Sequence, residues 1–424
     1  MRRHIRLFGL LLGGFLLLAL LGSCGGDGDN GNGAEPTAAG DGTPATSGDT
    51  TGVSDTEIKL GTHLPLSQSP AAAYAIIADG MRAYFEYINE SEGGVHGRKI
   101  SLLVGDDHYS PPDTVEVVRK LVEQDEVFAI IGGLGEATHF TVWEYLEERG
   151  VPDLFISSGI SAWTDPVVRT RFGGNPVYLQ EGEMLGQYIA QEYPDAKLGL
   201  LIQDDEFGRE GERGIRAGIE GSGVEVTEVQ TYDPANLLGD VTGQTQRLKN
   251  ADVDVIAAYA LPPQAASVIK TSREVLSWDV PIVISGVNAS NAFVQLAGVE
   301  NAEGVVTVLF GHQTWETDHP GIQQFLEVME TYAPAAPVEN FTEYGYIIAE
   351  LTVEALKRAG PDLTREGLID ALESIKGYEC SVCFAPISFS PTDHRPFEIE
   401  VYVRLEDGEW VPFGDPVDFE STPQ

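Results

Sequence analysis

Apolar positions along the chain follow two alternating periods. Near-continuous apolar runs at 58–62, 99–105, 127–132 and 153–157 are followed by a second series at 197–203, 224–232, 253–259 and 281–285. Unbroken Val, Ile and Leu in such short runs implies strands buried on both faces, and therefore parallel sheets covered by helices. Between the runs the spacing turns helical. Ile77, Met81, Tyr84 and Ile88 fall on one stripe, and further helices are expected over 114–124 and 138–149. The two series predict an α/β protein of two doubly wound lobes.

Beyond Phe310 the order changes. Long helices are expected at 321–332, 344–359 and 364–375, then two strands at 398–405 and 410–413 joined by Glu406-Asp407-Gly408-Glu409, a hairpin signal. Helices arriving this late are expected to return over the first lobe. There is no repeat of solenoid length.

Composition changes the picture at the ends. Arg2, Arg3 and Arg6 precede an apolar run over 7–21 that closes on Gly22 and Ser23, the layout of a secretory signal. Leu21-Gly22-Ser23-Cys24 resembles the lipobox of bacterial lipoproteins, in which the cysteine is acylated and the residues before it are removed. Residues 1–23 are therefore expected to leave, and Cys24 to carry lipid on the outer face of a bacterial membrane. A plain transmembrane anchor is the alternative, although the run falls short of the roughly 20 residues that span a bilayer. Residues 24–52 are mostly Gly, Asp, Asn, Thr, Ala and Pro, too poor in large apolar side chains to bury a core, and are expected to form a disordered tether.

Formal charge is −40, and about −43 once the three arginines have gone. Such a chain is no partner for nucleic acid or for a broad anionic lipid surface. Outside the cytoplasm Cys380 and Cys383 read as a disulfide, with free thiols and a redox or metal role as the alternatives. A zinc ribbon would need a second ligand pair, and none is seen. A redox pair would open a helix, whereas Phe384-Ala385-Pro386-Ile387 reads as a strand.

Several segments carry a resemblance by their order along the chain. Ile58-Lys59-Leu60-Gly61-Thr62, the stretch from Asn89 to Arg98, Asp106-Asp107 and Ile130-Ile131-Gly132-Gly133 resemble the leucine/isoleucine/valine-type solute-binding proteins of ABC importers. Ser390-Pro391-Thr392-Asp393-His394-Arg395-Pro396 and the ending Trp410 to Asp415 are similar to one branch of that family. The resemblance implies the type I periplasmic binding fold, with crossovers near 172–178, 309–313 and 390–395. One lobe would hold 53–173 and 311–390, the other 174–310 and 391–419, with the ligand in the cleft between them. Closure of that hinge on the ligand would make the form an importer recognises.

Ligands of doubly wound sheets meet the carboxyl ends of strands, where helix N-termini offer free N–H groups. Gly132-Gly133-Leu134-Gly135-Glu136-Ala137-Thr138 lies at such a place, and Gly135, Glu136, Ala137 and Thr138 are expected at the ligand. The stretch lacks the glycine a dinucleotide fingerprint would need at Thr138, and a tight turn is the alternative. Ser157, Ser158 and Gly159 supply hydroxyls after the next strand, or cap a helix. By resemblance Tyr74 covers the ligand side chain, Phe207 faces the cleft, Tyr259 and Leu261 end a strand that faces it, and Asn288 lies in the ligand loop after the strand ending at Ser285. Each of these could also be core.

Two positions depart from the family. Glu136 stands where a hydroxyl meets the ligand carboxylate, and Gly286-Val287-Asn288-Ala289 lacks the acidic residue that grips an α-ammonium. Both point away from a standard branched-chain amino acid, toward a small, amino-acid-like or apolar or aromatic carboxylate ligand with polar ends. Catalysis is not supported. Asp106-Asp107 and Asp204-Asp205 read as helix caps, Ser158-Gly159 lacks the glycine of a nucleophile elbow, and His139, read as a partly exposed helix residue, joins no metal pair. The expectation is a monomeric, lipid-anchored solute-binding protein without metal or cofactor, working with an ABC permease. A sensor lipoprotein of the same fold is the alternative, and an α/β enzyme a remote one.

Overall fold

A computed structural model describes residues 48–69, 71–236 and 238–419. The expected signal, Cys24 and the tether as far as residue 47 lie outside the described residues.

Strands β1 (Glu57–Leu64), β2 (Lys99–Asp106), β3 (Ala129–Ile131), β4 (Asp153–Ile156) and β5 (Arg171–Gly173) form an all-parallel sheet in the order β2-β1-β3-β4-β5. Their connections carry α1 (Ile77–Ser91), α2 (Pro111–Glu123), α3 (Glu136–His139) and α4 (Trp143–Glu148). The stripe Ile77, Met81, Tyr84 and Ile88 is buried as expected. The single helix expected over 138–149 is instead two short ones, because the Thr141 hydroxyl donates to the Thr138 carbonyl and the Val142 N–H to the His139 carbonyl, closing a turn between them.

The chain then builds α5 (Tyr178–Glu192), β6 (Lys197–Gln203), α6 (Glu206–Gly218), β7 (Glu225–Tyr232), α7 (Thr242–Asn250), β8 (Val255–Tyr259), α8 (Pro262–Lys270), β9 (Ile282–Ile284), α9 (Asn291–Ala297), α10 (Val299–Ala302) and β10 (Val306–Leu309). Three helices follow, α11 (Pro320–Tyr332), α12 (Asn340–Ala359) and α13 (Arg365–Glu373). Phe325, Tyr346, Leu351 and Leu368 from these helices share one buried cluster with Ile58, Leu60 and Ile131 of the first sheet. Finally β11 (Ile399–Glu406) adds antiparallel to β10 and β12 (Glu409–Asp418) antiparallel to β11, giving the order β12-β11-β10-β9-β8-β6-β7. Asp407 and Gly408 both have positive φ, the two-residue turn that matches strand twist in a hairpin.

Close helix pairs fix the two walls of the cleft. A Cβ on Gly80 would come within 1.9 Å of the Thr342 carbonyl oxygen, and one on Gly345 within 2.0 Å of that of Ile77, so α1 and α12 touch backbone to backbone. In the second lobe Gly182 and Gly186 of α5 meet Gly214 and Gly218 of α6 in the same way.

Two expectations about the chain's ends are corrected or refined. The tether was to reach residue 52, but Arg365 donates to the Asp49 carboxylate at 2.6 Å and to the carbonyls of Val127 and Phe128, so residues from 48 onward are docked on the first lobe. Cys380 and Cys383 are joined, their Cα atoms 5.3 Å apart, and the segment after them makes only an isolated bridge, Ile387 to Tyr378, in place of a strand. Among the described residues no helix is long and apolar enough to cross a membrane.

Candidate ligand-binding cleft

The carboxyl ends of both sheets face each other across a cavity with an empty volume of about 1020 Å³, including the part open to solvent. Contacts between the lobes close its rim. The Tyr74 hydroxyl donates to the Val287 carbonyl at 3.2 Å, Asn340 donates to the Ala289 carbonyl, and the Ser161 backbone N–H and hydroxyl both donate to the Glu210 carboxylate.

On the first wall, β3 ends in a glycine-bearing turn before α3. Gly135 has φ of 100°, a conformation that L side chains avoid, and the Gly135 carbonyl accepts the His139 N–H. A Cβ on Gly133 would stand 2.4 Å from His63 Nε2. That imidazole belongs to a buried chain beneath the turn. Asp107 Oδ2 meets His63 Nδ1 at 2.8 Å, His63 Nε2 meets His139 Nδ1 at 2.9 Å, and His139 Nε2 meets Asp153 Oδ2 at 2.7 Å. Three hydrogen bonds in line need three hydrogens on two rings, one more than two neutral imidazoles carry. The chain therefore holds one hydrogen more than two neutral imidazoles and two carboxylates supply. His139, expected to be partly exposed, is fully buried because it forms this link.

Seven aromatic rings line the cavity: Tyr74, Tyr109, Phe341 and Tyr344 with Phe310 on one side, Tyr178 and Phe207 on the other. Among the described residues four glutamates, Glu136, Glu181, Glu343 and Glu400, line it with them, and neither Lys nor Arg does. All four are buried. Glu181 and Glu343 stand in the first turns of α5 and α12, whose positive ends favour a nearby negative charge. Glu181 Oε1 accepts the Gly286 N–H at 3.1 Å. Burial pushes its carboxyl up to about 7 against hydrogen bonds that pull it down. Glu136 is pushed up to about 8, first by burial and then by the Asp205 carboxylate beside it. Glu343 and Glu400 are raised well above the usual carboxylate range by burial, helped by Glu316 and Glu181 respectively. Among the described residues, one oxygen each of Glu136, Glu343 and Glu400 has no hydrogen-bond partner.

Comparison with known proteins agrees with this architecture. Residues 57–407, most of the chain, match the model of a family described as periplasmic binding protein. The chain belongs to that family. It is similar to the Leu/Ile/Val-binding protein homolog 1 of Brucella suis, 23% identical over 312 residues, 73% of this chain and 81% of that protein. Its fold matches that of a fatty acid ABC transporter substrate-binding protein from Thermomonospora curvata, with TM-score 0.77 and 25% identity over 88% of this chain and 96% of that one. It also matches a branched-chain amino acid ABC transporter protein from Thermus thermophilus with bound valine, with TM-score 0.77 and 21% identity over 86% of this chain and 97% of that one. This periplasmic binding protein is thus of the ABC solute-binding type, and such proteins work outside the cytoplasm with small-molecule ligands and permeases.

Of the residues singled out in the sequence of this binding protein, Tyr74, Gly135, Glu136, Ser157, Ser158, Phe207 and Leu261 line the cavity. Ala137, Thr138, Gly159, Tyr259 and Asn288 do not. Thr138 turns back to the Leu134 carbonyl, and Gly159 packs where a Cβ would meet the Pro176 carbonyl at 2.1 Å. Tyr259 stacks beneath Tyr178 and Phe207, with its hydroxyl on the Tyr178 carbonyl. Asn288 ties the carbonyls of Ala260 and Ser285. Glu181, Glu343 and Glu400 escaped sequence reasoning, which searched the loops after strands. The available signals were an acidic residue in the first turn of two helices, and a glutamate on a partly buried strand.

Proposed function

We propose that this chain is the extracytoplasmic solute-binding lipoprotein of an ABC importer, anchored through Cys24, monomeric and without catalytic activity of its own. It captures a small, largely apolar or aromatic ligand with a polar end. The observation that carries this reading is the interlobe cavity, walled by seven aromatic rings at the carboxyl ends of two parallel sheets. The division expected from the sequence, 53–173 with 311–390 against 174–310 with 391–419, puts both walls on separate hinged bodies. Cys380 and Cys383 would then form a structural disulfide on the first of them.

An α-amino acid fits this cavity poorly, because among the described residues its carboxylate would find neither Lys nor Arg in the lining, with His312 turned to Glu316, and would lie among buried carboxyls. Titrating the purified protein with leucine, isoleucine and valine tests this: no micromolar binding is expected, and tight binding of any one of them contradicts it. The anchor has a separate test. Cys24→Ala is expected to release the protein from the membrane with ligand affinity unchanged, and an unprocessed wild-type N-terminus would contradict it.

A further inference from the structure

We infer that the polar end of the ligand is an ammonium group, so that this protein captures an organic cation, an amine on an apolar or aromatic body without an accompanying carboxylate. The inference rests on the solute-binding reading and specifies its ligand class. Hydrogen-bond supply points the same way as charge. Among the described residues, the fully buried wall atoms without a hydrogen-bond partner are one carboxyl oxygen each on Glu136, Glu343 and Glu400, together with the Ser158 hydroxyl. Glu343 and Glu400 are 3% and 1% exposed, so water is a poor partner for either. A group that satisfies several carboxylates at once must be rich in donors and positively charged, and an ammonium has three N–H groups and no acceptor. His312, the base in the lining, is turned to Glu316 at 3.0 Å.

The helix ends agree. In a site built for an anion, the first turns of α5 and α12 would leave their N–H groups to the ligand. Here Glu181 and Glu343 occupy those positions. Positive helix ends act against the burial that raises these carboxyls, and a carboxylate ionised there needs a countercharge from the ligand. Glu181 and Glu400 come from different elements of the second lobe and Glu343 from α12 of the first, so a cation between them ties the lobes together. The surrounding rings of Tyr74, Tyr178, Phe207 and Phe341 offer π faces to the same charge and an apolar bed for the body it is attached to.

Three isosteric probes decide the matter: 2-phenylethylamine, 3-phenylpropanoate and 3-phenylpropanamide, titrated calorimetrically into the full mature protein at pH 8 in phosphate. The amine is expected to bind at least about tenfold more tightly than the acid or the amide, and Glu343→Gln or Glu400→Gln to weaken it by about thirtyfold or more. Melting each variant without ligand verifies its fold, and either variant alone suffices. Equal or tighter binding of the acid or amide overturns the cation while leaving the solute-binding reading intact, as does amine affinity unchanged in both variants. If none of the three binds, the inference falls. The solute-binding reading is then judged separately, by the mass of any compound released when protein purified from its source cells is denatured.

Discussion

Two groups of buried carboxylates lie on either side of the Gly132–Gly135 turn, and the protein treats them differently. Beneath the turn, Asp107 and Asp153 each meet an imidazole at under 3 Å, and the Arg171 guanidinium lies close to Asp153. Above it, Glu343 and Glu400 face the cavity, each with one oxygen unpaired as Asp153 also has, but among the described residues neither has a base beside it. Where a buried acid serves the scaffold, this chain provides a basic partner and a hydrogen-bond chain. Where it borders the cleft, the partner is missing. Desolvating a carboxylate without a countercharge costs several kcal/mol or forces it to hold its proton. The contrast marks the cleft glutamates as groups awaiting something from outside.

Breaking the paired side should have the largest effect. His63→Leu takes the imidazole from buried Asp107 and His139→Leu takes it from buried Asp153, and each is expected to cost about 3–5 kcal/mol in urea unfolding. A loss below about 1 kcal/mol would mean that the chain carries no charge balance.

The unpaired side should show in the pH dependence of the ligand-free protein. Glu181, facing Glu400, Tyr259 and the Gly286 N–H, titrates near 7, and Glu136, facing Asp205, Glu206 and Arg209, near 8, both above the ordinary 4.5. Folding therefore holds protons that the unfolded chain has already lost. Their contribution to stability is complete below about pH 4.5 and lost as pH rises through 7 and 8, at about 1 kcal/mol per pH unit for one group. Thermal melts that rise over this interval would contradict the assignment. Removing the charge should sharpen the contrast further: Glu400→Gln or Glu343→Gln is expected to stabilise the ligand-free protein at pH 8 by about 1–3 kcal/mol, the reverse of the histidine variants.

The smallest effect belongs to a region outside both groups. Cys380 and Cys383 close a loop of very few residues, so the double change to Ser is expected to cost only about 1 kcal/mol, with ligand binding unchanged.

The fold class was legible because strands buried on both faces read as unbroken apolar runs. The stripe of α1 was legible because its four apolar residues recur at helical spacing. Boundaries were less so. The break between α3 and α4 depends on side-chain bonds from Thr141 that no periodicity encodes, and the docking of Asp49 depends on Arg365, more than 300 residues away. In the cleft, the turn after β3 and the serines after β4 could be found from strand ends alone. Tyr259 and Asn288 turned inward to the core. The glutamates were missed because their burial is a tertiary fact: Glu181 and Glu343 look like ordinary favourable charges in first helical turns until the other lobe covers them.

The most direct test counts protons. With Glu181 pushed up to about 7 and Glu136 to about 8, the ligand-free cleft still holds protons at pH 6.5, and a cation seated there should expel about one per ligand bound. Adding 2-phenylethylammonium to an unbuffered solution of the protein, with a pH electrode recording, is expected to show that release, and to show it lost in Glu400→Gln. Binding that takes up protons, or releases none, would contradict a cation site.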